Sequence, residues 1–361
     1  MELDGIFASR DKRLAMANLV YVPYCSSDAW VGSVAAAPPT HFAFRGRDIA
    51  TAVVGDLVQH RGLGRFQGTR VLYGGCGTGA LGALLNLDRV GALLQTLIVP
   101  SSNLRRFGGL LDSPLMVEEQ PMAGAAQPSY MAQAQGVATI SGAGASVSAA
   151  CRAAHPQPSD AWRCLFASYA LPFVRSDLFL NAFQYDAEQL AADTGAGVPN
   201  RTPAQRAYAE AYRNATRAIA FADVIDPAAQ GNAAMLPACF QHCNTLGQGF
   251  SSMATDDFTL EQAVSAWFYG QAHVNDHDDE LSSPPSPPPS SSSSSSLPSS
   301  PSSAAALAPT AARRLRGVAA ARAAMAKAGL SWDPPKTVPQ FIVEDCEGFN
   351  CGDSCPNSGR R

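Results

Sequence analysis

The residues with the most chemical potential begin at a turn. Val71-Leu72-Tyr73-Gly74-Gly75-Cys76-Gly77-Thr78-Gly79-Ala80-Leu81-Gly82 reads as a short apolar strand, a tight glycine turn and the start of a helix carrying Leu81, Leu84, Leu85 and Leu87. That layout matches a nucleophile elbow, where a G-x-S-x-G turn lifts a serine above the end of a sheet. The five residues here are Gly75-Cys76-Gly77-Thr78-Gly79, so glycine occupies the serine position. Taken alone, the stretch also reads as a Gly-rich turn that binds a phosphate or nothing. Cys76 stands one residue early, where an elbow turns the side chain elsewhere, so a disulfide is its expected use. Downstream, Asp186 closes an apolar run and His242 lies in a short loop between Cys239 and Cys243. Elbow, then Asp, then His is the chain order of an α/β-hydrolase triad. A lone histidine is more often structural than catalytic, and the order alone does not decide between them.

These residues need a sheet and helices to hold them. Leu19 to Tyr24 is expected as a strand ending in the polar turn Cys25 to Trp30. Gly46 to His60 has Ile49, Val53, Val54, Leu57 and Val58 on one face, with Gly62 just past its end, and is expected as a helix. Strand, helix, strand, elbow, helix is the alternation of a mostly parallel sheet. Leu97-Ile98-Val99 is a further strand candidate, and Leu178 to Gln184 a buried one. Pro121 to Ala150 has little period and reads as a lid or a decayed segment. Thr202-Pro203-Ala204-Gln205 opens a helix to about Phe221 with a capping box and a proline at its first position. Thr259 with Gln262 opens another, with Leu260, Ala263, Val264, Trp267 and Phe268 on one face.

Composition narrows the classes. The chain has 361 residues, 46% of them hydrophobic, and a formal net charge of −4. No basic surface suggests nucleic acid, and no apolar run of about 18 residues suggests a membrane span. Ser282 to Ser303 is almost wholly Ser and Pro and cannot bury a core. A basic, Ala-rich helix is expected over Ala311 to Ala328. Residues 275–336 are therefore an insertion into one domain formed by residues 1–274 and completed by 337–361. Nine cysteines leave at least one unpaired. Cys346, Cys351 and Cys355 could offer three sulfurs to zinc, but no histidine is near, and a disulfide-stapled tail is expected. The sequons Asn200-Arg201-Thr202 and Asn214-Ala215-Thr216 suit a secreted chain, while Met1-Glu2-Leu3-Asp4 opens no signal peptide. The expectation is a chain that has lost its beginning.

Several motifs in order carry a family resemblance. Tyr21-Val22-Pro23-Tyr24-Cys25-Ser26-Ser27-Asp28-Ala29-Trp30 resembles the VYVPYCSSD-W stretch of the Notum carboxylesterases, which are related to the plant pectin acetylesterases. Phe44-Arg45-Gly46 resembles the F-R-G before the elbow of the latter, and Leu84-Leu85-Asn86-Leu87-Asp88-Arg89-Val90 resembles the former's LLNVDRV. Phe183 to Asp186 with Glu188-Gln189-Leu190 resembles the segment of the catalytic aspartate. Pro237-Ala238-Cys239-Phe240-Gln241-His242-Cys243 resembles the P-A-C-x-x-H segment of the catalytic histidine. Cys151 with Cys164 to Tyr169, and the tail from Val343 to Pro356, resemble the family's cysteine segments.

The resemblance implies an α/β-hydrolase-like fold, a mostly parallel sheet with helices on both faces and a cysteine-rich C-terminal tail. It implies an extracellular or cell-wall carboxylesterase acting on an acetylated, pectin-like polysaccharide or another acylated substrate, without a cofactor or metal, as a monomer. Asp186 would orient His242, and His242 would move the proton. Thr78 would give one oxyanion N–H, and Cys151 would pair with Cys164. Three departures stand out. Gly77 has no oxygen with which to attack an acyl carbon. The family's Gly-Gly-x-W-C stretch, a second oxyanion donor, would lie upstream of residue 1. Its D-[SA]-G-[WF]-F-L-D pocket segment reads Asp112-Ser113-Pro114-Leu115-Met116-Val117-Glu118, so Asp112, Ser113 and Leu115 are the expected binding positions. The expectation is an esterase lineage whose present member is inactive; the alternatives are a glycan-binding or structural pseudoenzyme, or a Notum-like deacylase of a lipid-modified protein.

Overall fold

The computed structural model describes residues 4–36, 41–125, 128–142, 147–197, 202–225, 231–270, 338–346, 348–352 and 355. The expected insertion at residues 275–336, with its Ser/Pro tract and basic helix, lies outside them, as does Asn200.

A five-stranded sheet forms the frame. Its strands are β1 (Thr69–Cys76), β2 (Leu104–Asp112), β3 (Leu178–Asn181), β5 (Ala233–Leu236) and β9 (Phe341–Val343), in the order β1-β2-β3-β5-β9. Every pairing among them is parallel. Two short ladders flank it, β4 (Tyr185–Asp186) on β6 (Phe240–Gln241), and β7 (Ala254–Thr255) on β8 (Phe258–Thr259).

Alternate side chains of each strand enter different apolar clusters, as the two-residue period of a strand requires. Leu111, Leu180, Ala234 and Leu236 pack with Leu81, Leu84 and Leu87 of the helix Thr78–Leu97. Leu110, Phe179, Ala233, Met235 and Ile342 pack with Leu260, Ala263 and Val264 of the helix Leu260–Tyr269. Both faces of the sheet are thus covered, which is why β3 and β5 read as continuous apolar runs rather than alternating ones.

The helices follow their caps. Pro203–Asp223 starts at Thr202, and Leu260–Tyr269 at Thr259, each with the reciprocal capping box that its glutamine three residues on predicts. Gly46–His60 forms as the apolar spacing requires. Buried Asp28 holds its start, accepting from Gly46 N at 2.7 Å as well as from Ser26 Oγ, Trp30 N and Gly32 N.

Three elements differ from expectation. Leu19 to Tyr24 makes no strand with any of the described residues, and Leu19 and Val20 are about half exposed. Leu97 ends the elbow helix, whose final N–H bond, from Ile98 to Leu94 O, closes it where a strand was expected. The strand there is β2, which begins after Asn103 and runs on to Asp112. Within Pro121 to Ala150, a helix spans Tyr130–Ile140 and starts at a Ser129 cap. Four disulfides join Cys76 to Cys243, Cys151 to Cys164, Cys239 to Cys355 and Cys346 to Cys351. Cys25 is free and exposed.

Candidate active site

The site is built where three chain segments meet at the C-terminal ends of the strands. β1 ends at Cys76 and the helix Thr78–Leu97 follows with one residue between them. That residue, Gly77, has φ +56° and ψ −121°. The turn is sharp enough that a Cβ on Gly75 would lie 2.4 Å from the backbone carbon of Gly79, so only glycine closes it. The strand-to-helix geometry of a nucleophile elbow is therefore present, with a hydrogen where a side chain would stand.

Asp186 and His242 come together through the β4–β6 ladder, whose register sets Asp186 opposite Gln241, the neighbour of His242. His242 Nδ1 lies 2.8 Å from Asp186 Oδ2. Asp186 also caps the helix Ala187–Thr194, accepting from Glu188 N and Gln189 N. It is 5% exposed, so its orientation is fixed on both sides. The loop after His242 is anchored as well. Cys243 is bonded to Cys76, and Asn244 N and Thr245 N donate to Asp112 Oδ2 at 2.7 and 2.6 Å.

Sequence reasoning missed the residue that completes the arrangement. Glu188, in the first turn of the Asp186-capped helix, places Oε2 at 2.7 Å from His242 Nε2. Both imidazole nitrogens therefore face carboxylates. A Cβ built on Gly77 would lie 2.7 Å from His242 Nε2 and 3.9 Å from Glu188 Oε2. The ring and the second carboxylate fill the space of a nucleophile side chain. Tyr130, on the helix of the unassigned segment, hydrogen-bonds Glu188 from outside. The only signal for Glu188 was its place in the Glu188-Gln189-Leu190 motif beside Asp186, which says nothing of its reach.

The electrostatics follow. Burial alone would lower the His242 pKa, but hydrogen bonds and charge from Asp186 and Glu188 outweigh it and push it up to about 10. The imidazole is then a doubly hydrogen-bonded cation at neutral pH. Glu188 is held below its ordinary range by its bond to that cation. Burial pushes Asp186 up while the imidazolium pulls it down. A base needs a free lone pair, and a raised pKa leaves the ring mostly protonated at neutral pH.

The expected binding positions are internal. Asp112 is fully buried and its carboxylate accepts from Asn181 Nδ2, Asn244 N and Thr245 N, with Ser113 Oγ at 3.3 Å. Ser113 Oγ accepts in turn from Cys243 N, and Leu115 is 4% exposed within the core. These residues anchor the histidine loop and line the interior, because a buried carboxylate with several donors has no oxygen left for a ligand. Thr78 opens the elbow helix, where the first N–H groups have no intrahelical acceptor. A cavity of about 160 Å³ lies elsewhere, against Leu85, Asp88, Arg89 and Phe173, and contains no triad position. No helix among the described residues is long and apolar enough to cross a membrane.

Comparison with known proteins bears on the family and the fold. A family model for Pectinacetylesterase matches residues 3–287. The palmitoleoyl-protein carboxylesterase NOTUM of Drosophila melanogaster is 28% identical over 257 residues, covering 70% of this chain and 35% of the relative. The Homo sapiens protein of the same name is 28% identical over 262 residues, covering 70% and 48%. The chain thus spans about a third to a half of the length of these relatives. A crystal structure of the Wnt deacylase Notum from Drosophila superposes with a TM-score of 0.62 at 25% identity, covering 74% of this chain and 73% of that one. A second crystal form gives 0.58 at 24% identity, with 69% and 67% covered.

Proposed function

Because the chain belongs to the pectinacetylesterase family, we propose that it descends from a carboxylic ester hydrolase and now holds an acylated saccharide without turning it over. In a working serine esterase the hydroxyl attacks the acyl carbon while a neutral histidine takes its proton. Here Gly77 has no hydroxyl, and His242 is a cation clamped by Asp186 and Glu188. The clamp is the observation that supports the reading: it occupies the base where Gly77 already lacks the nucleophile. In subtilisin, an unrelated serine hydrolase, removing the serine alone costs about a million-fold in turnover. The ligand proposed is an acetylated, pectin-like polysaccharide, taken from the family. No nucleic acid is expected to bind, and the acting form is a monomer. Four disulfides suit an oxidising compartment, and the proposed location is extracellular.

A second reading is favoured by the names of the relatives, which are carboxylesterases of a palmitoleoylated protein. In it the ligand carries a fatty acyl chain. Two assays separate these ideas. Turnover of p-nitrophenyl acetate and p-nitrophenyl octanoate should stay at buffer background for the oxidised chain, and measurable turnover that vanishes in His242→Ala would overturn the non-catalytic reading. Co-sedimentation with acetylated pectin, with de-acetylated pectin and an acylated peptide as comparators, identifies the ligand.

A further inference from the structure

The disulfide beside the clamp has a chemistry of its own. Cys76 immediately precedes Gly77 and Cys243 immediately follows His242, and their Cα atoms are 5.7 Å apart. Cys76 stands one residue before the elbow position and its side chain is expected to point elsewhere, yet both sulfurs and a ring nitrogen of His242 lie within 4.8 Å of one another. Cys151, Cys164, Cys239 and Cys355 are buried, whereas Cys76 and Cys243, like Cys346 and Cys351, are half-buried.

We propose that the Cys76–Cys243 bond masks a nucleophile, and that its reduction unveils at the elbow a Cys76 thiolate that accepts an acyl group from an ester. A soluble dithiol supplies the electrons: it becomes a cyclic disulfide, and Cys76 and Cys243 become thiols. The Cys76 thiolate then attacks the ester carbonyl. The S–C bond forms, the C–O bond breaks, and the leaving alkoxide takes the proton of the His242 imidazolium. Water attacks the thioester next, giving one proton to the neutral His242; the C–S bond breaks, and the carboxylic acid leaves with the Cys76 thiolate and the His242 imidazolium restored. Cys76 rather than Cys243 is the acceptor for two reasons. It stands two residues before Thr78, the start of a 20-residue helix whose first N–H groups have no intrahelical acceptor and favour negative charge nearby. Cys243 Sγ lies 3.9 Å from the Asp112 carbonyl oxygen, whose negative end disfavours a thiolate there.

A thiolate is favoured next to an imidazolium. The other charged groups around it are Asp186, Glu188 and Asp112, with the Tyr130 hydroxyl on Glu188. Asp112 is answered by its own donors. Asp186 keeps Nδ1. Glu188, half exposed, competes with the thiolate for Nε2.

Cys25, free and exposed in the same chain, is the internal reference. The Cys243→Ser variant leaves Cys76 as a permanent thiol, and iodoacetamide labelling at pH 6.5 is followed site by site by mass spectrometry. Cys76 should label about tenfold faster than Cys25, as a thiol pKa lowered by one unit gives. Glu188→Gln should raise that ratio and His242→Gln should abolish it. With p-nitrophenyl acetate the same variant should release one equivalent of p-nitrophenol in a burst and carry an acetyl group on Cys76. The wild-type chain treated with tris(2-carboxyethyl)phosphine gives the same readouts should Cys243→Ser not fold. Labelling of Cys76 no faster than Cys25, acetylation elsewhere, or a Cys76–Cys243 bond that resists the phosphine in the folded chain would each overturn the proposal.

Discussion

Restoring the missing hydroxyl is the obvious repair, and the clamp predicts that it fails alone. In Gly77→Ser the new Cβ would sit 2.7 Å from His242 Nε2, against the ~3.5 Å or more of an ordinary contact, so the ring must retreat by about 0.8 Å. Asp186 is buried and capped behind it, and Glu188 holds Nε2 in front. The serine must also take φ +56°, ψ −121°, a region that costs a non-glycine residue on the order of 1–3 kcal/mol. The larger obstacle is protonation. With the His242 pKa at about 10, the neutral ring that accepts the serine proton is present in about one molecule in three hundred at pH 7.5. Removing the second carboxylate should return the histidine towards an ordinary triad and free Nε2 for the hydroxyl. Gly77→Ser/Glu188→Gln is therefore expected to exceed Gly77→Ser by about ten- to a hundred-fold in kcat/KM for p-nitrophenyl acetate at pH 7.5, as the neutral fraction rises with each unit of pKa. The rate of the single variant should climb with pH towards 10, and that of the double variant should level off near pH 7. Equal rates for the two, with a common midpoint near 7, would refute the claim that Glu188 disables the base.

The clamp also predicts a stability profile. His242 is raised in the folded chain above its unfolded value of about 6.5, so its contribution is complete below that pH and is lost as pH climbs through about 10. Tm should fall over that interval, less so in Glu188→Gln, and an NMR titration should place the His242 midpoint near 10; a midpoint near 6.5 would mean the ring is not clamped. Asp112→Ala strands the N–H groups of Asn244 and Thr245 and should cost several kcal/mol, at about 1–3 for each donor left unpaired, read from the urea midpoint; no shift would mean that the histidine loop is held elsewhere. A peptide map of the unreduced chain should show the four cysteine pairs of the fold, Cys151 with Cys164 among them, and Cys25 as a thiol.

The parts of the fold written in local patterns were legible. Thr202 and Thr259 announce their helices through capping boxes, and the glycine spacing at 75–79 announces the elbow. Asp186 and His242 were legible from motifs in order. What escaped depends on partners distant in sequence. β2 begins Leu104-Arg105-Arg106 and ends buried through Gly108 to Asp112, so neither alternation nor a uniform apolar run marks it. Leu19 to Tyr24 has strand-like residues but pairs with no neighbour among the described residues, and β propensity is chiefly a fit to neighbours. Asp112 looked like a ligand-facing acid because only the folded loop supplies the N–H groups of Asn244 and Thr245. Glu188 was legible only as part of the segment of Asp186, and its contact with His242 is made by a residue distant in the chain.

The link between Cys76 and Cys243 spans 167 residues of sequence. In a denatured chain that keeps its cross-links, the elbow and the histidine loop remain neighbours, and the longest search needed to bring them together has been made in advance. Closure entropy grows with the logarithm of loop length, so most of the cost of joining these two segments falls on the chain that first oxidised, not on one returning from urea. Refolding from urea should therefore be faster with the bond intact than after reduction and alkylation, because the effective separation of the site's two halves has been shortened to a few residues.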